Sequence, residues 1–525
     1  MIASTHRFTS SAFAVSMAGI LGVLVGMGRQ MLVAWYFGAG VEMDAWFTSA
    51  AIPTYLSAVL LSGLSFVLIP ALVRHQEKQD RDRAGSLILT FLAVSFVIST
   101  TVAIAVGSCS QIIIRFVAPG LDALSAGQAA DLLRIQILAF PLMTTASIAM
   151  GSGNAYRLFF LPACSVAIGT LANTVSVLVL TPYLGVYALA WGWVLGYVAS
   201  ACFCLRLIAP HIRWSLLSLR DPELRHLGRL VLPFLLFGML TRCVPLIEKH
   251  IASNLPVGQI AYLGYATRIS RLLGSLAGGG IGVAIFPAMS RSLSRDGIKG
   301  LSETTERGLI VTLSIGVPIV TFFLVAAVPT IQLLLGRGRF DAATVEAVAR
   351  ACAPLAVVSV GLLLGNVLGR SFYTTQTTWI TPFLGSLCVL CFLFLSHVFV
   401  SRFQYMGLAF ARACATMTTV MVMMVLLMVK LRARFLQLWT FMLIYLVAAG
   451  FYVWAFHVVQ PWYSQFGPLH RVVVSCVTIA AFFGAVLALW ERRLLLDVLD
   501  LFGYSKIRSV IRVLRHPPVR DYYSP

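Results

Sequence analysis

Long apolar segments separated by short polar loops make up most of this chain. About fourteen of these segments reach the roughly 20 residues that a helix needs to cross the hydrocarbon core of a bilayer. Because the apolar runs are so long, few positions are left for the polar surface of a soluble domain. The pattern predicts an all-α polytopic membrane protein with about 14 transmembrane helices.

Basic residues are concentrated in alternate loops. One set of loops carries cation clusters, such as Arg74–Arg83 and Arg206–Arg229, and the basic tail 491–525 belongs to the same set. The other set is poor in cations, and its loops 37–44 and 254–258 contain none. By the positive-inside rule, the basic set faces the cytoplasm. We therefore expect an even number of spans with both termini in the cytoplasm.

The overall composition agrees with a membrane protein. The 525 residues are 59% hydrophobic and only 11% charged, whereas a soluble domain has about 25% charged residues. The apolar run after the first ten residues is too long for the core of a cleavable signal peptide, so we expect none. The net charge of +20 would suit a nucleic-acid partner. The cations lie in alternate loops instead, and we expect no such partner.

The chain contains an internal repeat. Residues 33–76 align with residues 251–294 at an offset of about 217 positions, which places Pro70 on Pro287. A basic loop follows each copy. Six predicted spans separate the copies, so both have the same orientation in the membrane. Parallel repeats are an architecture of transporters, with the substrate site near the bilayer midplane between the halves.

The repeat predicts a division into two parallel six-helix lobes, of the kind seen in MATE-like transporters, plus two C-terminal helices. In chain order, the predicted segments are an N-terminal lobe at 1–209, a basic cytoplasmic linker at 210–228, a C-terminal lobe at 229–434, the extra helices at 435–490 and a basic tail at 491–525.

Several cations lie inside the apolar segments, where an unpaired charge costs about 3 kcal/mol or more. They are Arg29, Arg242, Lys249, Arg268 and Arg271. The repeat would gather their segments around one cavity, and guanidinium groups suit phosphate oxygens. We predict an electropositive chamber for a substrate with a diphosphate group. The alternative is that each arginine reaches an interface or pairs with an acid such as Glu248.

Three further residues are candidates for a gate or for coupling. Asp44 follows the first apolar segment on the outer side, and it is either a gate residue that pairs with cations or a solvated loop acid. Glu248 and Lys249 are neighbours in the seventh segment. A glycine cluster in the eighth segment serves either as a hinge for alternating access or for close helix packing: Gly278, Gly279, Gly280 and Gly282.

No catalytic motif emerges from the sequence. Walker A, H-E-x-x-H and G-x-S-x-G patterns are absent, and 19 acidic residues leave few to cluster. The C-x-x-C of Cys388 and Cys391 lies in an apolar run, where packing is the simpler role. We expect no enzyme activity, no metal and no cofactor. A polyprenyl-sugar transferase or polymerase would need carboxylates in large loops; a scaffold in a cell-wall assembly remains an open alternative.

Two long stretches, residues 28–53 and 246–290, resemble signatures of the MurJ/MviN family of lipid II flippases, within the MOP transporter superfamily. Residues 118–120, 158–173 and 335–348 are similar to the family as well. The resemblance implies a bacterial inner-membrane flippase that moves a polyprenyl-diphosphate-linked saccharide to the outer leaflet by alternating access. Implied partners are this lipid-linked glycan, membrane lipids and proteins of cell-wall or polysaccharide assembly.

The resemblance also implies roles for residues. Arg29 and Arg268 match functional arginines of the family's diphosphate cavity, and Asp44 matches its outer acid. Glu248 stands where many members have an Asp linked to cation binding. The last two spans, 435–490, would form the groove for the lipid tail.

The chain departs from the family pattern at several positions. Val23 and Ser57 replace arginines, and Thr377 replaces an acid. Arg242 and Arg271 would supply substitute charge. These losses keep a flippase for an exopolysaccharide or O-antigen repeat unit open as an alternative. A MATE-like cation or drug antiporter is less favoured, because it needs acids in its cavity.

Overall fold

Helices form nearly all of the chain that the structure describes. The structure is a computed structural model, which describes residues 2–156, 158, 160–212, 235–375, 377, 380–463 and 465–490. The helices are α1 (Ile2–Phe37), α2 (Val41–Glu77), α3 (Arg81–Ser108), α4 (Ser110–Val117), α5 (Ala123–Gln136), α6 (Ala139–Ala155), α7 (Phe160–Leu184), α8 (Tyr187–Ile208), α9 (Val244–Ala252), α10 (Gln259–Leu335), α11 (Ala342–Thr374), α12 (Ile380–Phe403), α13 (Tyr405–Leu431), α14 (Leu436–Tyr463) and α15 (Pro468–Trp490). The backbone of α10 is kinked at Gly297 and departs from helical geometry at Ala326. Residues 235–241 are helical as well.

The membrane-spanning character of the chain follows from these helices. Within the described ranges, nine helices are long and apolar enough to cross a bilayer, or ten if the bent pair of α5 and α6 is one span. The expected count of 14 is therefore not confirmed. The predicted tail 491–525 lies outside the described residues, and so does the predicted linker from residue 213 onward.

Loop acids determine where two of the helices begin. Asp122 precedes α5, and its carboxylate accepts hydrogen bonds from the side chain and backbone of Ser125. Asp341 precedes α11 and accepts a bond of 2.9 Å from the backbone N–H of Thr344. These bonds satisfy N–H groups that have no partner inside the helix. They also hold the pKa of each carboxyl below its usual range.

The chain forms two compact units. The first unit comprises Met1–Tyr265, Leu334–Val348 and Gly385–Ala411. In it, α3 and α6 pack against each other and α2 packs on both α5 and α6, while α7 packs along α8 and α1. One core cluster of this unit includes the fully buried Leu72 and Ile88. The domain division inferred from the repeat remains a prediction.

The second unit comprises Ala266–Leu333, Ala349–Leu384 and Arg412–Pro525. Its helices are joined by buried polar contacts, such as that between the hydroxyls of Thr305 and Ser371 at 3.0 Å. Helices α14 and α15 are linked by the hydroxyls of Tyr452 and Thr478, 2.6 Å apart. The Glu306 carboxylate accepts the Leu438 N–H at 3.0 Å and so fixes the start of α14.

Small residues allow α7 and α8 to pack very closely. Gly192, Gly196 and Ser200 follow one another every four residues on α8, the spacing of small residues at membrane helix interfaces. A Cβ atom on Gly196 would lie 2.7 Å from the carbonyl oxygen of Gly169 on α7. The backbones of the two helices therefore approach each other at a point where only hydrogen fits.

We expect Gly196→Ala to destabilise the first unit by about 1–3 kcal/mol, because the added methyl group forces α7 and α8 apart. The measurement is the thermal unfolding midpoint of the purified protein in detergent. Gly127→Ala in α5 is the matched control, since a Cβ there meets no atom within 4 Å. Equal midpoints for the two variants would contradict the tight packing of α7 on α8.

Candidate functional site

Arg29 lies at a cavity inside the first unit. The cavity has a volume of about 450 Å³ and is lined by residues of α1, α2, α6, α7 and α8. The Nε atom of Arg29 is buried there and has no hydrogen-bond partner. A buried donor without a partner is costly. The role of Arg29 in binding a substrate stays a prediction.

The rest of the cavity lining is mostly apolar, contains several hydroxyl groups and carries little charge. Ser57, Ser147 and Ser200 contribute hydroxyl groups, and Tyr197 and Trp193 contribute aromatic rings. In the lining that the structure describes, Arg29 is the one cation, and no Asp or Glu accompanies it. Such a lining suits an anionic ligand with many hydroxyl groups better than a cation.

The sequence predicted Arg29 but missed most of this cavity. Asn173 on α7 and Ser200 on α8 both line it. Their helices meet because of the small residues at 192, 196 and 200. The spacing of these small residues is visible in the sequence and could have predicted the contact between α7 and α8. Nothing in the sequence shows that these polar side chains face the same space as Arg29.

Asp44 is deeply buried at the start of α2, with only 4% of its surface exposed. Its two carboxylate oxygens accept the backbone N–H groups of Gly258 at 2.6 Å and Ala261 at 2.7 Å. These groups lie at the start of α10, where the helix dipole favours a negative charge. Asp44 is therefore buried and hydrogen-bonded rather than solvated. Its role as a gate residue that pairs with cations stays a prediction.

The loops around Asp44 are joined by further hydrogen bonds within the first unit. The Tyr265 hydroxyl donates to the Gly38 carbonyl at 2.8 Å, and the Arg339 N–H donates to the Trp35 carbonyl at 3.1 Å. Gly38 has a φ of 63°, and a Cβ there would lie 2.5 Å from the Arg339 oxygen. We call residues 37–44, 254–262 and 335–341 the closure. All three segments belong to the set of loops that is poor in cations.

Glu248 and Lys249 form a buried ion pair near the closure. The Lys249 Nζ atom lies 3.2 Å from Glu248 Oε1, and each side chain is 7% exposed. Lys249 also lies 6.0 Å from the ring centre of Phe47 and interacts electrostatically with Asp44. Two of the predicted gate residues are thus close to the third. A buried charge that is partnered in this way escapes most of its desolvation cost.

The other predicted cations lie elsewhere. Arg242 is exposed and follows the helical residues 235–241 in the first unit. Arg268 is half-buried and Arg271 is exposed, and both belong to α10 within the second unit. Their convergence with Arg29 in one chamber remains a prediction. The glycines of the predicted hinge lie inside α10: Gly278, Gly279, Gly280 and Gly282.

Metal ligands do not cluster in the described ranges, where no three His, Cys, Asp or Glu side chains come together in a potential metal site. Cys388 and Cys391 both have free thiols. The groups that line the cavity at Arg29 are a guanidinium, hydroxyls, an amide and aromatic rings.

The comparison with known families decides the identity of the chain. The sequence model of the family described as "Lipid II flippase MurJ" matches residues 33–473. This chain belongs to the MurJ family. It is 29% identical over 408 residues to the lipid II flippase MurJ of Burkholderia cenocepacia, covering 74% of this chain and 78% of that protein. It is 26% identical over 436 residues to a probable lipid II flippase MurJ of Bdellovibrio bacteriovorus, covering 80% and 82%.

Solved structures show the same fold. A lipid II flippase MurJ in an inward closed conformation matches with a TM-score of 0.74 at 17% identity, over 90% of this chain and 98% of that one. An inward-facing MATE multidrug transporter of the MOP superfamily matches with a TM-score of 0.68 at 16% identity, over 80% and 98%. The predicted all-α transporter fold and the resemblance to MurJ are confirmed. The exopolysaccharide and MATE-like alternatives are not favoured.

The hydrogen bonds of Asp44 predict that its charge stabilises the backbone of residues 254–262. In Asp44→Asn, one of the amides of Gly258 and Ala261 keeps a neutral acceptor, while the other faces the side-chain NH2 group, which cannot accept its N–H. The loss is about 1 kcal/mol or more. We expect hydrogen exchange of residues 254–262 to become about 5- to 10-fold faster, measured by mass spectrometry. Glu42→Gln, two residues away, is the control. Unchanged exchange in Asp44→Asn would show that the charge does not hold the closure.

Proposed function

We propose that this MurJ-family protein moves lipid II from the cytoplasmic to the outer leaflet of the bacterial inner membrane by alternating access, without catalysing a reaction. The family match over residues 33–473 is the observation that carries the proposal. The cavity at Arg29 supports it, because the described lining is cationic, rich in hydroxyls and free of acids. A diphosphate-linked saccharide has the matching chemistry.

Arg29 is the first contact of the substrate diphosphate in this proposal. Its buried Nε–H has no acceptor among the described residues, so a phosphate oxygen gains a charge-assisted bond without displacing one of them. Arg268 completes the clamp from α10. Arg271 and Arg242 add charge, which compensates for the family arginines that Val23 and Ser57 replace. Ser57 itself lines the cavity and donates its hydroxyl to Thr54.

Asp44, with the Glu248–Lys249 pair, keeps the outer side closed while the substrate enters from the cytoplasm. Opening that side separates the Asp44 carboxylate from the first turn of α10 and breaks two short hydrogen bonds. Gly278, Gly279, Gly280 and Gly282 act as the hinge for this movement. Net charge that moves with the carrier couples it to the membrane potential, at about 2.3 kcal/mol per charge per 100 mV.

The remaining parts of the chain have roles that follow from this cycle. The lobes 1–209 and 229–434 rock against each other, and both termini lie in the cytoplasm. Helices α14 and α15 hold the polyprenyl tail; large apolar side chains such as Phe451 and Trp454 are exposed on α14. The partners are lipid II, the surrounding lipids and proteins of cell-wall assembly.

We expect Arg268→Ala to abolish transport while the protein stays folded. Loss of one charge-assisted contact costs about 1.5–3 kcal/mol, which lowers the rate by more than about 10-fold. The measurement is lipid II translocation by purified protein in vesicles, with the thermal unfolding midpoint as the folding check. Arg295→Ala is the control, because that side chain is 87% exposed. Full activity of Arg268→Ala would eliminate the clamp.

A further inference from the structure

We propose that a second cavity of the first unit, between α3, α5 and α6, binds a phospholipid whose head group carries both a phosphate and a primary ammonium group. Among the described residues, this cavity shares no lining residue with the cavity at Arg29. The proposal therefore does not depend on which substrate the protein transports.

The cavity has a volume of about 390 Å³, and most of its lining is apolar. Ile104 on α3 and Leu138 between α5 and α6 line it, and they are 66% and 50% exposed, so the cavity opens at the surface of the first unit. Because α3 is long and apolar enough to cross a bilayer, the medium at this opening is lipid. An acyl chain fits such an apolar wall better than a water-soluble ligand does.

Arg134 on α5 lines the same cavity beside the end of α3. Its Nε–H donates to the Ser110 hydroxyl at 3.0 Å, and its Nη1 donates to the Asp131 carboxylate at 2.8 Å. These bonds use two of the five N–H groups of the guanidinium. The side chains of Arg134 and Asp131 are both about half exposed, at 48% and 49%.

The charges of this pair select a zwitterionic head group. A phosphate oxygen can accept a charge-assisted bond from Arg134. Asp131 lies one turn nearer the start of α5, where it can accept a bond from an ammonium group attached beyond the phosphate. A head group with only a negative charge would meet the Asp131 carboxylate without a compensating cation.

Thr100 on α3 supplies a donor deeper in the cavity. Its hydroxyl is buried and has no partner among the described residues, whereas the hydroxyl of the next residue, Thr101, donates to the Val97 carbonyl at 2.9 Å. Buried hydroxyls are nearly always paired, so this one indicates an acceptor on a ligand. Thr100 lies eight residues before Ser108, about 12 Å further along α3 into the membrane. The ester carbonyls of a phospholipid are acceptors that lie on this side of its phosphate.

The test is lipid binding by the full-length protein, freed of co-purified lipid in detergent and measured by native mass spectrometry. Phosphatidylethanolamine, phosphatidylglycerol and phosphatidylcholine with identical acyl chains are compared. The second lipid lacks the ammonium group, and the ammonium of the third has no N–H to donate. The test variants are Arg134→Gln, Asp131→Asn and Thr100→Val. The controls are Arg115→Gln, since Arg115 is exposed on α4, and Thr101→Val, since that hydroxyl is paired within its own helix.

We expect wild type to bind phosphatidylethanolamine about 10-fold more tightly than the other two lipids. Arg134→Gln should bind it about 10-fold more weakly, and Thr100→Val should bind all three lipids about 3- to 10-fold more weakly. Asp131→Asn should bind the three lipids about equally, and both controls should match wild type within about 2-fold.

Unfolding midpoints without lipid show whether each variant is folded, and Thr100→Val, which keeps the size of the side chain, carries the test if Arg134→Gln unfolds. Wild-type affinity of both Arg134→Gln and Thr100→Val for phosphatidylethanolamine would overturn the site. A preference of wild type for phosphatidylglycerol would overturn the pairing of Asp131 with an ammonium group and with it the proposed class of lipid.

Discussion

The high cost of a charge without a partner inside a membrane protein is the constraint on which this site depends. Arg29 lies in an apolar segment, and within the described residues its buried Nε–H has no acceptor. In the proposed function, a phosphate oxygen removes this deficit. The small residues that bring α7 onto α8 create the space in which this contact is made.

The closure contains a buried negative charge, whereas the cavity contains a buried positive one. Asp44 is as buried as a core residue, but its charge is satisfied by two backbone N–H groups at the start of α10. Backbone donors are kept when side chains are substituted, except by proline. A carboxylate at a helix N-terminus can therefore stay charged although it is buried.

The sequence predicted the fold class and the family, because hydropathy and motif spacing report on these directly. The role of Arg29 stays a prediction. It left the state of Asp44 open, since the partners of its carboxylate are backbone amides that any sequence would supply. It missed Asn173 for a related reason: a polar residue in an apolar helix does not reveal which cavity it faces. Arg268 and Arg271 match a family pattern, and their meeting with Arg29 is an expectation from the repeat.

The most direct test of the central claim is binding of lipid II by the purified protein, measured by native mass spectrometry in competition with an exopolysaccharide-type lipid-linked precursor. Wild type is compared with the double variant Arg29→Ala/Arg268→Ala. The account predicts that wild type prefers lipid II and that the double variant loses this binding. Equal binding of lipid II by wild type and the double variant would mean that these arginines are structural, and it would contradict the mechanism.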